Sequence, residues 1–392
     1  MRILILSIAA LFCVSLQAKK VKLPEKKDVL AAMELANDYF ITKHPDAGAP
    51  TFVNKKRPSN LWTRGVYFEG LVALTDIERT LGAQKYEQNS KYLYDWASYH
   101  DWIPRNGIKT RDADDYCCCQ AYLSMYLNGQ VKTYMPTMQC MDNLLRTRES
   151  ITDWTWIDAI QMGLPVLTKL SLVKAKEGDE AFDRYAQHGW KMYHYTRDVL
   201  AGGLFNKEEG LWWRDKDFIP PYKEPNGQNC YWSRGNGWVY AALVRAMQDI
   251  MDIPDYDEYL EEYKTDYIKM SEALKACQRT DYFWNVSLHD AANYGGKELT
   301  GTSLFVYGMA WGIRHQILDS KTYLPIVANT WNAMVKDCLH KNGFLGYVQG
   351  TGKQPKDSQP VTYDSEPDFD DFGLGCFLLA GSEVYMLVKS EI

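Results

Sequence analysis

The residues best suited to chemistry are carboxylates set among aromatic rings. Asp158 stands in Trp154-Thr155-Trp156-Ile157-Asp158-Ala159. Two indoles beside a carboxyl group are expected to exclude water, raise its pKa and let it serve as a general acid. The same position suits an ordinary Asp helix cap equally well, and Asp153 is a weaker candidate of the same kind. Asp114 and Asp115 are a second candidate pair, since two carboxylates facing each other across a sugar-sized cleft are the apparatus of glycoside cleavage. The densest segment is Tyr231-Trp232-Ser233-Arg234-Gly235-Asn236-Gly237-Trp238. Arg234 offers a two-pronged grip for a carboxylate, the glycines let backbone approach a ligand, and Trp232 and Trp238 offer ring platforms. Trp212-Trp213-Arg214-Asp215 adds a second arginine among aromatics, which points to an anionic substrate such as a uronate.

These residues need a scaffold that gathers them. Six strongly apolar segments begin near Trp62, Asp114, Trp154 to Asp158, Trp232, Thr300 and Asp371. Each is entered through Gly, Asp or Ser, and nearly all are apolar around most of their circumference, as helices buried on every side must be. Amphipathic stretches alternate with them, at Val29 to Thr42, Lys85 to Tyr99, Lys132 to Arg146, Asp179 to Val199, Tyr256 to Cys277 and Lys321 to His340. No period-two stretch suggests a strand. Six hairpins with an inner and an outer ring predict an all-α (α/α)6 barrel, with the acids and tryptophans at the starts of the inner helices sharing one rim. An extended helical array is the competing architecture.

The first 18 residues, with Arg2, an apolar run from Ile3 to Leu16 and Ala18 before Lys19, read as a signal peptide. That leaves 19–392 as a single catalytic domain, exported to the periplasm or the medium. Cys13 as a lipid-attachment site is the lesser reading, because Phe12 precedes it. No later run is apolar enough to span a bilayer. With 44 basic and 50 acidic residues, nucleic acid and anionic membrane are not expected partners. Cys117, Cys118 and Cys119 are consecutive, a spacing that fits buried filler residues better than a metal site or a disulfide framework. A share of 14% aromatic residues, with 13 Trp and 27 Tyr, suits the flat apolar faces of sugars.

The ordered set of motifs resembles a known family. Trp156-Ile157-Asp158-Ala159, Leu211-Trp212-Trp213-Arg214-Asp215, Trp232 to Val239, Glu298-Leu299-Thr300-Gly301-Thr302, Ala310-Trp311-Gly312-Ile313 and Leu378 to Glu383 are similar to segments of the unsaturated rhamnogalacturonyl hydrolases. These form glycoside hydrolase family 105, related to the unsaturated glucuronyl hydrolases of family 88. The resemblance covers nearly all of 19–392. It implies an (α/α)6 barrel that removes a 4,5-unsaturated uronic acid from the non-reducing end of lyase-generated oligosaccharides, by protonation at C4 and addition of water at C5. It implies Asp158 as acid and base, Asp114 or Asp115 as the second carboxylate, and Arg234 with Trp238 as holders of the uronate; Asp115, Trp213, Arg214 and Trp232 complete the expected substrate-binding set. The segment after Asp158 and the stretch Trp284 to Asp290 depart from the family pattern, which leaves the departing sugar open.

No phosphate loop, nucleophile elbow or metal-spaced histidine pair is present, so no cofactor or metal is expected. The competing functions are another (α/α)6 enzyme, either an inverting glycosidase or a polysaccharide lyase, and a non-catalytic sugar-binding protein.

Overall fold

The hydrophobic rhythm becomes helices at the expected places. The computed structural model describes residues 23–52, 56–251, 253 and 257–388; the proposed leader and Cys13 lie outside them. In chain order the helices are α1 (Lys26–Lys43), α2 (Trp62–Leu81), α3 (Tyr86–Tyr99), α4 (Ala113–Tyr116), α5 (Cys119–Leu127), α6 (Met135–Arg146) and α7 (Asp158–Lys176). They continue with α8 (Arg184–His194), α9 (Ser233–Ile250), α10 (Asp257–Cys277), α11 (Leu299–Arg314), α12 (Ser320–Asp337) and α13 (Phe372–Leu387).

The apolar segments form the inner ring. α2 packs on α5, the α4–α5 pair on α7, α7 on α9, α9 on α11, α11 on α13, and α13 back on α2. α3, α6, α8, α10 and α12 each lie against the inner helix that precedes them, and α1 covers α13. The two classes differ as their sequences demand. Every residue of α11 from Leu299 to Ile313 is buried, whereas α3 buries only Asn89, Tyr92, Leu93, Trp96 and Ala97, one stripe of a 3.6-residue period. Along that stripe Trp96 stacks on Phe68 of α2 with ring centroids 3.8 Å apart. The ring closes between α2 and α13 through glycines, because a Cβ on Gly70 would lie 2.6 Å from the Gly375 carbonyl oxygen.

Three details differ from the expected pattern. The second inner helix is broken. After Tyr116 the chain tightens to i→i+3 bonding, with the Gln120 N–H donating to the Cys117 carbonyl at 3.1 Å. The break falls where α2 comes closest, at Gly65, whose Cβ would meet the Cys118 nitrogen at 3.2 Å. Cys117, Cys118 and Cys119 are all buried and unpaired there. The fourth outer segment is helical only as far as His194 and continues as a π-helical turn over Tyr195–Val199. Two short antiparallel ladders also occur, Thr51–Phe52 with Lys56–Arg57 and Phe205–Asn206 with Leu211–Trp212. Two residues per strand are too few to register as alternation. Among the described residues no helix is long and apolar enough to cross a membrane.

Candidate active site

All six inner helices start at one end of the barrel, and the loops that enter them build a rim of caps and carboxylates. Glu298 caps α11, accepting from the N–H groups of Thr300 and Gly301 at 2.9 and 2.7 Å. Asp371 caps α13 through the Phe372 N–H. Asp112 caps α4 through the Asp114 N–H at 3.0 Å. The two acids of interest are not caps. Asp158 is the first residue of α7, follows Ile157 at the cap position, and accepts no backbone N–H of its helix. Its carboxylate instead accepts a hydrogen bond from the Nε–H of Arg214 at 3.1 Å.

That pairing is arranged by backbone. The Ile157 N–H donates to the Arg214 carbonyl at 3.0 Å, and Trp156 forms an antiparallel bridge with Asp215. The hairpin that ends at Trp212 therefore lays Arg214 alongside the entry to α7. Arg214 also donates through Nη1 to Asp215 at 2.7 Å, and Asp215 is fixed in turn by the Asp217 N–H at 2.9 Å. One guanidinium thus divides between two carboxylates, a charge-assisted arrangement that fixes the orientation of Asp158. Two donors of Arg214, which the sequence places in the substrate-binding set, are engaged by Asp158 and Asp215.

The expected pair of shielding indoles is corrected. Trp154 lies wholly in the core with its Nε1–H on the Tyr116 hydroxyl at 2.9 Å, while Trp156 keeps partial exposure. Asp114, on the neighbouring α4, has a raised pKa. Burial, then the nearby negative charges of Asp112 and Asp158, push its carboxyl up to about 7 against the opposing pull of Arg214. Its side chain has no hydrogen-bond partner among the described residues. Asp115 has a different fate. It is 2% exposed and fully engaged, accepting from Arg105 at 2.9 Å, Asn106 at 2.9 Å and Thr110 at 2.6 Å. It ties down the 105–110 loop, whereas the Asp114 side chain has no such partners among the described residues.

Arg234 sits on the first turn of α9 and is 1% exposed. Its Nη1 and Nη2 donate to the carbonyls of Gln349 and Gly350 at 2.6 and 2.8 Å. Its guanidinium lies over the rings of Trp232 at 4.6 Å and Phe372 at 5.0 Å. The two-pronged grip is therefore spent on backbone and anchors the loop that follows Val348. Trp232 supports the same loop through its Nε1–H on Gln349 Oε1 at 2.9 Å. Trp232 and Trp238 are 1% and 0% exposed, so neither presents an open ring face. The partly exposed indoles near the rim are Trp62, Trp156 and Trp213. Arg234 Nε and Trp238 Nε1 are nevertheless buried donors without an acceptor. They lie four residues apart, hence on one face of α9.

Residues of the 347–371 loop are not found by reading the sequence. Gln349 joins the site through Trp232 and Arg234, and Asp368 holds the Thr351 N–H at 2.7 Å. Their only sequence signal is polarity within a segment of no periodicity. Among the described residues one His/Asp/Glu group, His194, Asp198 and Glu262, has metal-like spacing. Arg197 already bonds Asp198 at 2.8 Å and lies 3.4 Å from Glu262, so a cation holds that cluster.

Known proteins are similar to this chain in sequence and fold. The profile of Glycosyl Hydrolase Family 88 matches residues 32–388. An unsaturated 3S-rhamnoglycuronyl hydrolase of Formosa agariphila is 29% identical over 83% of this chain and 84% of its own length. A solved family 88 glycosyl hydrolase of Bacteroides vulgatus has a TM-score of 0.78 at 27% identity, covering 93% of this chain and 100% of that one. A solved chain named as a polysaccharide lyase also has a TM-score of 0.78, at 26% identity over 92% of this chain and 97% of its own. With a profile match over most of its length and an (α/α)6 toroid carrying an acid pair on its rim, the chain belongs to glycosyl hydrolase family 88 and is a glycosidase.

Proposed function

We propose that the enzyme removes a 4,5-unsaturated uronic acid from the non-reducing end of an oligosaccharide by hydrating its enol ether. The observation that carries this reading is the acid pair. Asp114 and Asp158 stand on packed neighbouring helices, and Asp114 is pushed up to about 7, partly by the charge of Asp158. Arg214 orients Asp158, which makes Asp158 the group that delivers the proton to C4 and then takes one from the attacking water. Water adds to C5, the C5–O5 bond of the resulting hemiketal opens, and the hemiacetal at C1 expels the attached sugar. Asp114, on the neighbouring helix, places the ring hydroxyls. The name of the Formosa relative agrees with an unsaturated substrate. We extend the same reading to the chain as a whole: residues 19–392 act as one catalytic domain, exported once a leader of 18 residues is removed.

The test is a product assay on lyase-generated disaccharides of pectic, arabinogalactan and glycosaminoglycan origin. A hydrolase of this kind consumes the ultraviolet absorbance of the unsaturated uronate. A lyase acting on intact polysaccharide creates that absorbance, and a sugar-binding protein changes nothing; either result overturns the reading.

A further inference from the structure

A buried carboxylate below the rim takes no part in the hydration steps. Glu69, in the middle of α2, is 3% exposed, and its two oxygens are bonded to two other segments of the inner ring. Oε1 accepts from the Cys117 Sγ–H at 3.6 Å, where α4 ends. Oε2 accepts from Gln161 Nε2 of α7 at 3.1 Å. The same two segments are tied to each other, since Gln120 Nε2 donates to the Gln161 carbonyl at 2.7 Å. Arg245 of α9 completes the cluster, with Nε donating to Gln120 Oε1 at 3.0 Å and Nη1 lying 3.6 Å from Glu69 Oε2.

The partners of Glu69 occupy telling positions. Cys117 stands three residues after Asp114, and Gln161 three residues after Asp158; residues at that spacing share a helix face. One carboxylate therefore holds a residue about one turn beneath each acid of the rim. Burying it is unfavourable, and burial pushes its carboxyl up to about 7 against the pull of Arg245 and of the Cys117 hydrogen bond. Well-packed apolar residues often fill the place of a buried ion pair with no loss of stability. What they do not supply is two directed bonds that fix α4 relative to α7. Geometry of that kind bears on rate, because displacing a reacting group by about 1 Å lowers turnover on the order of a hundredfold.

We infer that Glu69 is a positioning residue for the reaction at the rim, setting the separation of Asp114 and Asp158 through Cys117 and Gln161. The inference rests on the hydration reading above, which makes those two acids the acting pair. Glu69 itself touches neither acid nor substrate in this role. Each of its two bonds then has its own kinetic signature, because Asp158 moves the proton whereas Asp114 places the ring.

The test follows decay of the unsaturated chromophore with the full-length enzyme, with kcat expressed per folded molecule and thermal unfolding recorded alongside. Gln161→Leu removes the bond to α7 without changing charge; it should lower kcat about tenfold, part of the loss that a 1 Å displacement brings, with KM within about twofold of wild type. Cys117→Ala removes the bond to α4 and should raise KM about three- to tenfold, with a smaller fall in kcat. Glu69→Gln keeps an oxygen for Cys117 and can turn its amide N–H toward Gln161 Oε1, a buried atom without a partner among the described residues. With both bonds kept, its kcat should stay within about threefold of wild type. A purely structural Glu69 would instead lower melting temperatures while leaving kcat and KM of the folded enzyme unchanged, and that result in either Gln161→Leu or Cys117→Ala overturns the inference. A folded Glu69→Gln as slow as Gln161→Leu overturns it as well, since charge and not the pair of bonds would then be responsible; if Glu69→Gln does not fold, the two neutral variants decide. Failure of the wild type to consume any unsaturated uronate overturns the hydrolase reading itself.

Discussion

Replacing Asp114 by asparagine should stabilise the enzyme at alkaline pH while slowing it. Asp114 ionises near 3.8 when exposed and near 7 in the fold. A carboxyl with a raised folded pKa holds its proton more tightly in the native chain, so its contribution to stability is complete below 3.8. That contribution is lost as pH rises from 3.8 to about 7. The difference of roughly three pH units corresponds to at most about 4 kcal/mol. Relaxation and water entry around a partly accessible carboxylate reduce the realised part to about 1–2 kcal/mol. A carboxamide in the same place does not titrate, and the Asp114 side chain has no hydrogen-bond partner to lose among the described residues. Thermal unfolding followed by circular dichroism should give Asp114→Asn a melting temperature about 2–4 °C above wild type at pH 8, with the gap more than halved at pH 4.5. A gap independent of pH, or a variant less stable at pH 8, would refute the assignment of Asp114 as the strained acid of the pair.

Other expectations follow from the same geometry. Arg214→Ala leaves Asp158 and Asp215 without their shared cation and should lower kcat by about 10- to 100-fold; Lys at this position should restore only part, because a point charge cannot serve two carboxylates in fixed directions. Asp115→Ala removes three hydrogen bonds to the 105–110 loop and should cost about 2–4 kcal/mol in denaturant unfolding, with intact kcat per folded molecule. Arg234→Ala should raise amide exchange at residues 349–351, where it anchors two carbonyls, together with KM. Exhaustive chelation should leave the turnover rate unchanged; loss with EDTA and recovery with a divalent ion would require a metal in the mechanism.

The hydrophobic period is enough to place the inner and outer helices, because burial on all sides and burial on one stripe leave different patterns along the chain. It is enough to put Asp114 and Asp158 on one rim. It cannot show their partners. Arg214 meets Asp158 across 56 positions through a two-residue ladder that leaves no periodic trace. Asp115 and Asp114 are neighbours of one type, and only the facing loop decides which is satisfied and which is left free. Trp154 and Trp156 read as equivalent flanks of Asp158, yet Trp154 lies in the core with its Nε1–H on the Tyr116 hydroxyl while Trp156 keeps partial exposure. Arg234 resembles a ligand-binding fork because its residue type suits that task; the carbonyls that occupy it belong to a loop more than a hundred residues away.

Asp158 is assigned to move the proton onto C4 of an unsaturated uronate, and every other role at the rim depends on that assignment. Its most direct test is the steady-state decay of the unsaturated chromophore with wild type and Asp158→Asn, with substrate affinity of the variant measured by calorimetry. The expected result is at least about a hundredfold loss in kcat, the scale of losing a general acid, with affinity within a few-fold of the wild-type KM. Turnover near the wild-type rate in Asp158→Asn would contradict it.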